Sequence, residues 1–401
     1  MTRTTNCVDF LQRLIRISAL PGAEGDLASE VEREMKALGY SQVHRDAVGN
    51  VLGLIEGRGD AQGLVFNTHL DHVDVGDPAR WPHPPFEGHS DGERVFGRGA
   101  VDIKGPLAAQ VHGVARLVEN PGPGDVWVTA VVQEEIGGVG ARELAPRLPE
   151  LTGAQRPVVI VGEPSSNQIR RGHRGRVEIV ATFYGRSVHA SVPMRGANPI
   201  SCHARFIRAL DTLELDLHAS LGRSSLAPTL LSTDQTSANV VPSEIRQVLD
   251  IRTVPGQDVE RLRQRLAELA EQAIEETRRE VDIDDPSLFQ AHVEIPVVPQ
   301  STYTGLHRPI PADNPAYLVE QDEPLLIRAE RLAVGAGATP GCDVWRFATD
   351  GGHFAEAGAL PIGIGPGNES LAHTRDEMIE IAELETALGI NEELARSVLV
   401  G

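Results

Sequence analysis

The chain has 401 residues, 41% of them hydrophobic and 23% charged, enough apolar mass for a large core divided between two domains and too much for a disordered chain. Its formal charge of -20, from 57 acidic against 37 basic residues, argues against a nucleic-acid backbone or an anionic membrane as the main partner. Cys7, Cys202 and Cys342 lie far apart and in no C-x-x-C arrangement, which argues against a disulfide framework or a thiolate zinc site and suits a reducing compartment.

The N-terminal stretch MTRTTNCVDFLQRL is polar and then amphipathic, without a signal-peptide core, and no apolar run approaches the roughly 20 residues that span a bilayer. The expectation is a soluble, cytoplasmic protein. Residues 8–17 and 26–38 follow a helical period. Residues 63–70 (GLVFNTHL), 126–133 (VWVTAVVQ) and 157–162 (PVVIVG) are short apolar runs suited to buried strands, and a helix is expected from residue 105 (GPLAAQVHGVARLVE). Strands alternating with helices point to an α/β architecture in which a mixed, mostly parallel sheet is flanked by helices.

Near Gly175 the pattern changes. RVEIVATFYG opens a strand with no acidic cluster at its end, a helix follows over 199–213, then the strand-like PTLLSTD and EIRQVLDIRT, an amphipathic helix over 259–273 and a strand around 292–298. Two helices with about four strands make an α+β unit able to stand alone as an insertion, here residues 176–299. Residues 299–324 serve as the return connection; a helix over 325–334 and Gly-rich strands then rejoin the first domain, which comprises 1–175 and 300–401.

Each apolar run of the first domain leads into a hard ligand or a base. His69 stands at the end of the first and Asp71 follows it, Glu134-Glu135 follow the second and Glu163 the third, while Asp102 precedes the helix and His373 stands near the C-terminus. Carboxylates and imidazoles without a thiolate suit zinc, manganese or cobalt, and ligands so scattered are assembled only by a fold. Strand ends in open α/β sheets are where ligands usually bind. Singly, each acid reads as a solvated loop residue or helix cap. Asp71 reads as an acceptor orienting the His69 ring. His72, Asp74, His83 and His89 lie close by and read as structural or solvated. The Gly-rich stretch after Glu135 is no dinucleotide loop, since G-x-G-x-x-G is absent and two carboxylates would repel a pyrophosphate.

The motifs THLDHVDVG, the W-x-x-x-P-F run from Trp81 to Phe86, GRGAVDIKG, QEEIGG, VGEPS, GRSVHASVP and AHTRDE occur in the order used by the M20 family of metallopeptidases and amidohydrolases, which the chain resembles over nearly its whole length. That family contains acetylornithine deacetylases, succinyl-diaminopimelate desuccinylases and carboxypeptidase-like enzymes. The resemblance implies a catalytic domain interrupted by a dimerising lid domain, and hence a homodimer or higher homo-oligomer. It also implies two divalent metal ions, zinc first and cobalt or manganese otherwise. His69 and Glu163 would hold one, Glu135 and His373 the other, and Asp102 would bridge them. A bridging carboxylate of this kind lets two dications sit about 3.5 to 4 Å apart around one activated water.

By the same resemblance Glu134 is the general base and Glu135 the ligand. Neighbours on a regular strand face opposite ways, so both reach the centre only where the strand turns into IGGVGARE. His189 matches a lid histidine that enters the partner subunit's site to meet oxyanion charge, with an ordinary surface histidine as the alternative. Asn239 and Arg252 match lid positions that hold substrate; Arg252 is suited to gripping a carboxylate and equally to a structural ion pair. His353, in TDGGHF, matches a loop near the substrate. VDIKGP and GHRGR depart from the commoner forms of their motifs without touching a ligand. The expected activity is deacylation of a small N-acyl amino acid or related carboxylate. The alternatives are a dipeptidase or carboxypeptidase, another C–N hydrolase, or a non-catalytic dimeric binding protein.

Overall fold

Apolar strands form the parallel centre of a nine-stranded sheet in the computed structural model, which describes residues 2–281, 283 and 285–399. The order across the sheet is Gln42–Arg45, Val51–Ile55, Gly124–Val131, Ala61–His69, Val158–Val161, Leu360–Gly363, Ile169–His173 and Tyr317–Leu318, with Cys342–Trp345 alongside Ile169–His173. From Gly124–Val131 to Leu360–Gly363 the neighbours run parallel, and at both flanks the pairing becomes largely antiparallel. The centre is buried on both faces, as its unbroken Val and Ile content requires. Register aligns the strand ends: His69 lies opposite Val131, and Asn67 opposite both Thr129 and Val161. The loops carrying Glu134-Glu135 and Glu163 therefore leave the sheet beside His69.

Helix Lys104–Val114 is buried at every position, which explains a composition of Ala, Gly and Val with no polar face. Helix Arg3–Ile15 starts before the expected residue 8, because Thr2 caps it by accepting from Thr5 N at 3.1 Å, and it buries Cys7, Phe10, Leu11, Leu14 and Ile15. No helix among the described residues is long and apolar enough to cross a membrane.

The chain divides into two compact units, one running up to His173 with Pro299–Ile310 and everything from Tyr317 on, the other Arg174–Val298 with Pro311–Ala316. The stretch 299–324 thus contains more than a plain connection: within it Asp313–Asn314 pairs with Gly175–Tyr184 in the second unit, and Tyr317–Leu318 with Ile169–His173 in the first. In the second unit the sheet order is Ser225–Thr233, Glu244–Thr253, Gly175–Tyr184, Gln290–Glu294. Helices Ile200–Ala209 and Val259–Glu280, the latter two turns longer than expected, close a core of Ile179, Phe183, Phe206, Leu249, Leu266 and Ile274. Strand Ser225–Thr233 is an edge, and its Leu230 and Leu231 are 69% and 56% exposed.

Candidate metal centre

His69 ends its strand with the ring buried, Nδ1 at 3.0 Å from the Asp71 carbonyl oxygen and 3.3 Å from Asp71 Oδ1. Both neighbours are acceptors, so Nδ1 carries a proton and Nε2 is the ring atom turned toward the cluster. There Nε2 stands 3.2 Å from Asp102 Oδ1 and 3.6 Å from Glu163 Oε1. On the other side of the same carboxylate, Asp102 Oδ2 is 3.0 Å from His373 Nε2, which is 3.0 Å from Glu135 Oε1. His69, Asp102 and Glu163 form one group, and Asp102, Glu135 and His373 a second, with the ligand atoms of each within 4.8 Å of one another.

The Glu134-Glu135 pair avoids the strand alternation by leaving the strand first. Gln133 takes a left-handed conformation at φ 58, and Glu134–Ile136 form a 3-10 turn. Asp71 fixes this turn, its Oδ1 and Oδ2 accepting from Glu134 N and Glu135 N at 3.1 Å each. Asp71 is thus more than the orienter of His69: one carboxylate ties the imidazole to both glutamates. Asp102 has a comparable support in Glu377, whose Oε1 accepts from Val101 N and Asp102 N at 3.0 Å each while Oε2 pairs with Arg98 at 2.6 Å.

Crowding sets the electrostatics. Burial, reinforced by neighbouring carboxylates, pushes Glu134 and Glu163 well above the usual carboxylate range and raises Glu135. Against the effect of burial, the facing carboxylates of Asp102 and Asp71 raise His69, and bonding to Asp102 and Glu135 lifts His373 to about 10. Asp102 is held low, the two histidines overcoming its burial. The acids raise one another because the site gathers more carboxylates than its two histidines offset, a charge balance that favours bound cations. The donor set fits a pair of divalent cations on two counts: it holds only oxygen and imidazole donors, and Asp102 Oδ1, 3.2 Å from His69 Nε2, is buried without a hydrogen-bond partner. Cys7, Cys202 and Cys342 are free and outside both groups.

Two acids near the centre were missed from the sequence. Glu377 is one, although it closes the quoted AHTRDE. Asp350 is the other; it is buried with neither oxygen hydrogen-bonded, and burial lifts it to about 7. Its signal is its place in TDGGHF, three residues before His353. His353 is itself buried, with both ring nitrogens unpartnered and its protonation suppressed to about 3 by burial. It packs on Gly138, at φ 68, where a Cβ would come within 2.8 Å of His353 Nε2.

His72, Asp74, His83 and His89 stand outside both ligand groups. His72 accepts from Ala19 N and donates to the Val73 carbonyl, both at 2.8 Å. His83 and His89 stack at 4.1 Å, and Asp74 caps Gly76 N at 2.7 Å. His189, Asn239 and Arg252 belong to the second unit. Two of them are neighbours there, because Val188–His189 pairs with Val240–Val241 and the Asn239 carbonyl accepts from Ala190 N at 2.9 Å. His189 is exposed with Nδ1 on Ser191 Oγ at 2.7 Å, and Arg252 pairs with Asp250 at 2.9 Å.

The sequence profile of Peptidase family M20/M25/M40 matches residues 65–397. The chain is 29% identical over 379 residues to the uncharacterized protein YgeY of Escherichia coli K12, covering 92% of this chain and 88% of that one. It is 32% identical to succinyl-diaminopimelate desuccinylase of Caulobacter vibrioides, over 62% of this chain and 66% of that one. Among solved structures it is similar to Bacillus subtilis YxeP, described as a dinuclear metal binding peptidase from the M20 family, at TM-score 0.71 and 16% identity, covering 99% and 98% of the two chains.

Proposed function

This chain belongs to peptidase family M20/M25/M40, a family of metallohydrolases acting on C–N bonds, and from that premise we propose that it deacylates a small N-acyl amino acid or related carboxylate. The observation that carries the reading is the division of Asp102, one oxygen 3.2 Å from His69 and the other 3.0 Å from His373. In this assignment His69 and Glu163 hold one divalent ion, Glu135 and His373 the second, and Asp102 both. Zinc is our first choice. Bound there, the ions supply an activated water and polarise the scissile carbonyl.

The protein's own groups do the rest. Glu134 stands outside both ligand groups, beside a ligand and anchored by its backbone to Asp71; once cations offset the neighbouring acids that favour its protonated form, its carboxylate is free to take the proton of the attacking water and return it to the leaving nitrogen. Asp71 positions both the ring and the base. His189 and Asn239, brought together on one short ladder of the second unit, serve the substrate of a partner subunit, with Arg252 as carboxylate grip once it leaves Asp250, and His353 supports the loop beside the substrate. The homodimer this requires is supported by the exposed edge strand Ser225–Thr233 with Leu230 and Leu231 outward.

The desuccinylase relative supports the deacylase reading, and the fold shared with a metallopeptidase keeps peptides in the test. Metal-reconstituted protein is assayed against matched N-succinyl, N-acetyl and N-formyl amino acids and dipeptides. Turnover of an N-acyl compound at least tenfold above every dipeptide supports the proposal; the reverse order replaces it with a peptidase.

A further inference from the structure

On the first unit a small cleft, about 100 Å³ in volume, opens between the turn at Trp81–His83, the strand Arg94–Phe96 and the loop leading from His373 to Glu377. Its walls are aromatic. The Trp81 indole N–H is satisfied by the Val75 carbonyl at 2.9 Å and the Arg98 guanidinium lies over the ring at 4.9 Å, so what the ring offers the cleft is apolar, and the His83 and Phe96 rings stand 4.7 Å apart. The rim is charged. Glu377 is neutralised by Arg98 and by two backbone N–H groups, but Arg375 is exposed and has neither an ion pair nor a hydrogen bond among the described residues. Asp376 shares that rim.

We propose that this cleft is a binding site for an aromatic carboxylate, its ring between Trp81, His83 and Phe96 and its carboxylate on Arg375. An apolar hollow with one polar group at its mouth is the usual form of a small-molecule site. The volume admits one ring, and an exposed guanidinium presents paired donors to a carboxylate. A neutral ring would leave Arg375 unmet, and an aliphatic acid would leave the aromatic faces without stacking. The cleft is separate from the candidate metal centre but joined to it, because Glu377 lines the cleft and holds the Asp102 backbone N–H at 3.0 Å. The inference does not depend on the substrate proposed above.

The test is fluorine NMR of para-fluorobenzoate titrated into the full-length, metal-loaded protein. Expected are saturable binding competed by benzoate, para-fluorobenzyl alcohol binding at least about tenfold more weakly, and Arg375→Gln weakening benzoate by at least about tenfold with unchanged metal content. Arg375→Lys retains part of the affinity. Equal binding by wild type and Arg375→Gln would mean that the carboxylate sits on the metals and would overturn the proposal. So would an absence of saturable binding, or a preference for para-fluorobenzylamine, which would hand the rim to Asp376. Should Arg375→Gln fail to fold, the comparison of benzoate, alcohol and amine on the wild type decides.

Discussion

Asp71→Asn removes little volume and changes three contacts at once. In the native protein its two oxygens accept from Glu134 N and Glu135 N at 3.1 Å each, and Oδ1 also lies 3.3 Å from His69 Nδ1. An asparagine keeps one acceptor and turns an NH2 toward either a backbone N–H or the imidazole N–H. One hydrogen bond to a charged group, about 1.5–3 kcal/mol, is therefore lost, and two donors are left face to face in a buried site. Part of that cost relaxes into movement of the turn, which displaces Glu134 from the attacking water. We expect kcat to fall about 30- to 100-fold with a smaller change in KM, in line with the roughly 10- to 100-fold effects of removing partners that orient metal ligands. The assay is steady-state kinetics on metal-replete protein, with elemental analysis after dialysis to separate metal loss from misplacement of the base. Asp74→Asn, an exposed residue that only caps Gly76 N, is the control and should stay within about twofold. Wild-type kcat together with wild-type metal retention in Asp71→Asn would refute the reasoning.

Three further outcomes follow from the structure. Burial holds the His72 imidazole down to about 4 against 6.5 for the free group, so the unfolded chain binds its proton first and stability falls as pH drops through that window. The loss attributable to His72 is about 2 kcal/mol between pH 7 and pH 5, read by urea denaturation of wild type against His72→Gln, and equal pH dependence in the two would contradict it. Of the thiols, Cys7 is fully buried and pushed up to about 12, Cys202 is buried and Cys342 is partly exposed, so a thiol reagent at pH 8 should label Cys342 alone until the chain is denatured. His189→Ala should lower kcat by at least about 100-fold while leaving metal content and folding unchanged, and an effect under threefold would remove it from the reaction.

The strands that end on ligands were legible because unbroken β-branched runs flanked by polar residues have few alternatives to a buried parallel sheet. The turn carrying Glu134 and Glu135 was legible only as a contradiction. Alternation forbids both from facing the centre, and the resolution, a left-handed Gln133, is a backbone state that no side-chain pattern announces. Glu377 and Asp350 went unread for a related reason: which of two adjacent acids turns inward, as with Asp376 and Glu377, depends on the loop's path. The Arg252–Asp250 pair was within reach, since residues two apart on a strand share a face. The pairing of Asp313–Asn314 with the second unit depends on contacts remote in sequence, and its polar, Pro-rich surroundings read as loop.

The central claim divides the labour between five residues that hold two cations and one that moves the proton. Glu134→Gln tests it most directly, because the amide keeps the size and the backbone anchor and loses only the basic oxygen. After reconstitution with zinc, the account predicts two metal ions per chain, as in the wild type, with kcat lower by at least about 1,000-fold on whichever substrate the wild type turns over. Full metal content with kcat within tenfold of the wild type would contradict it.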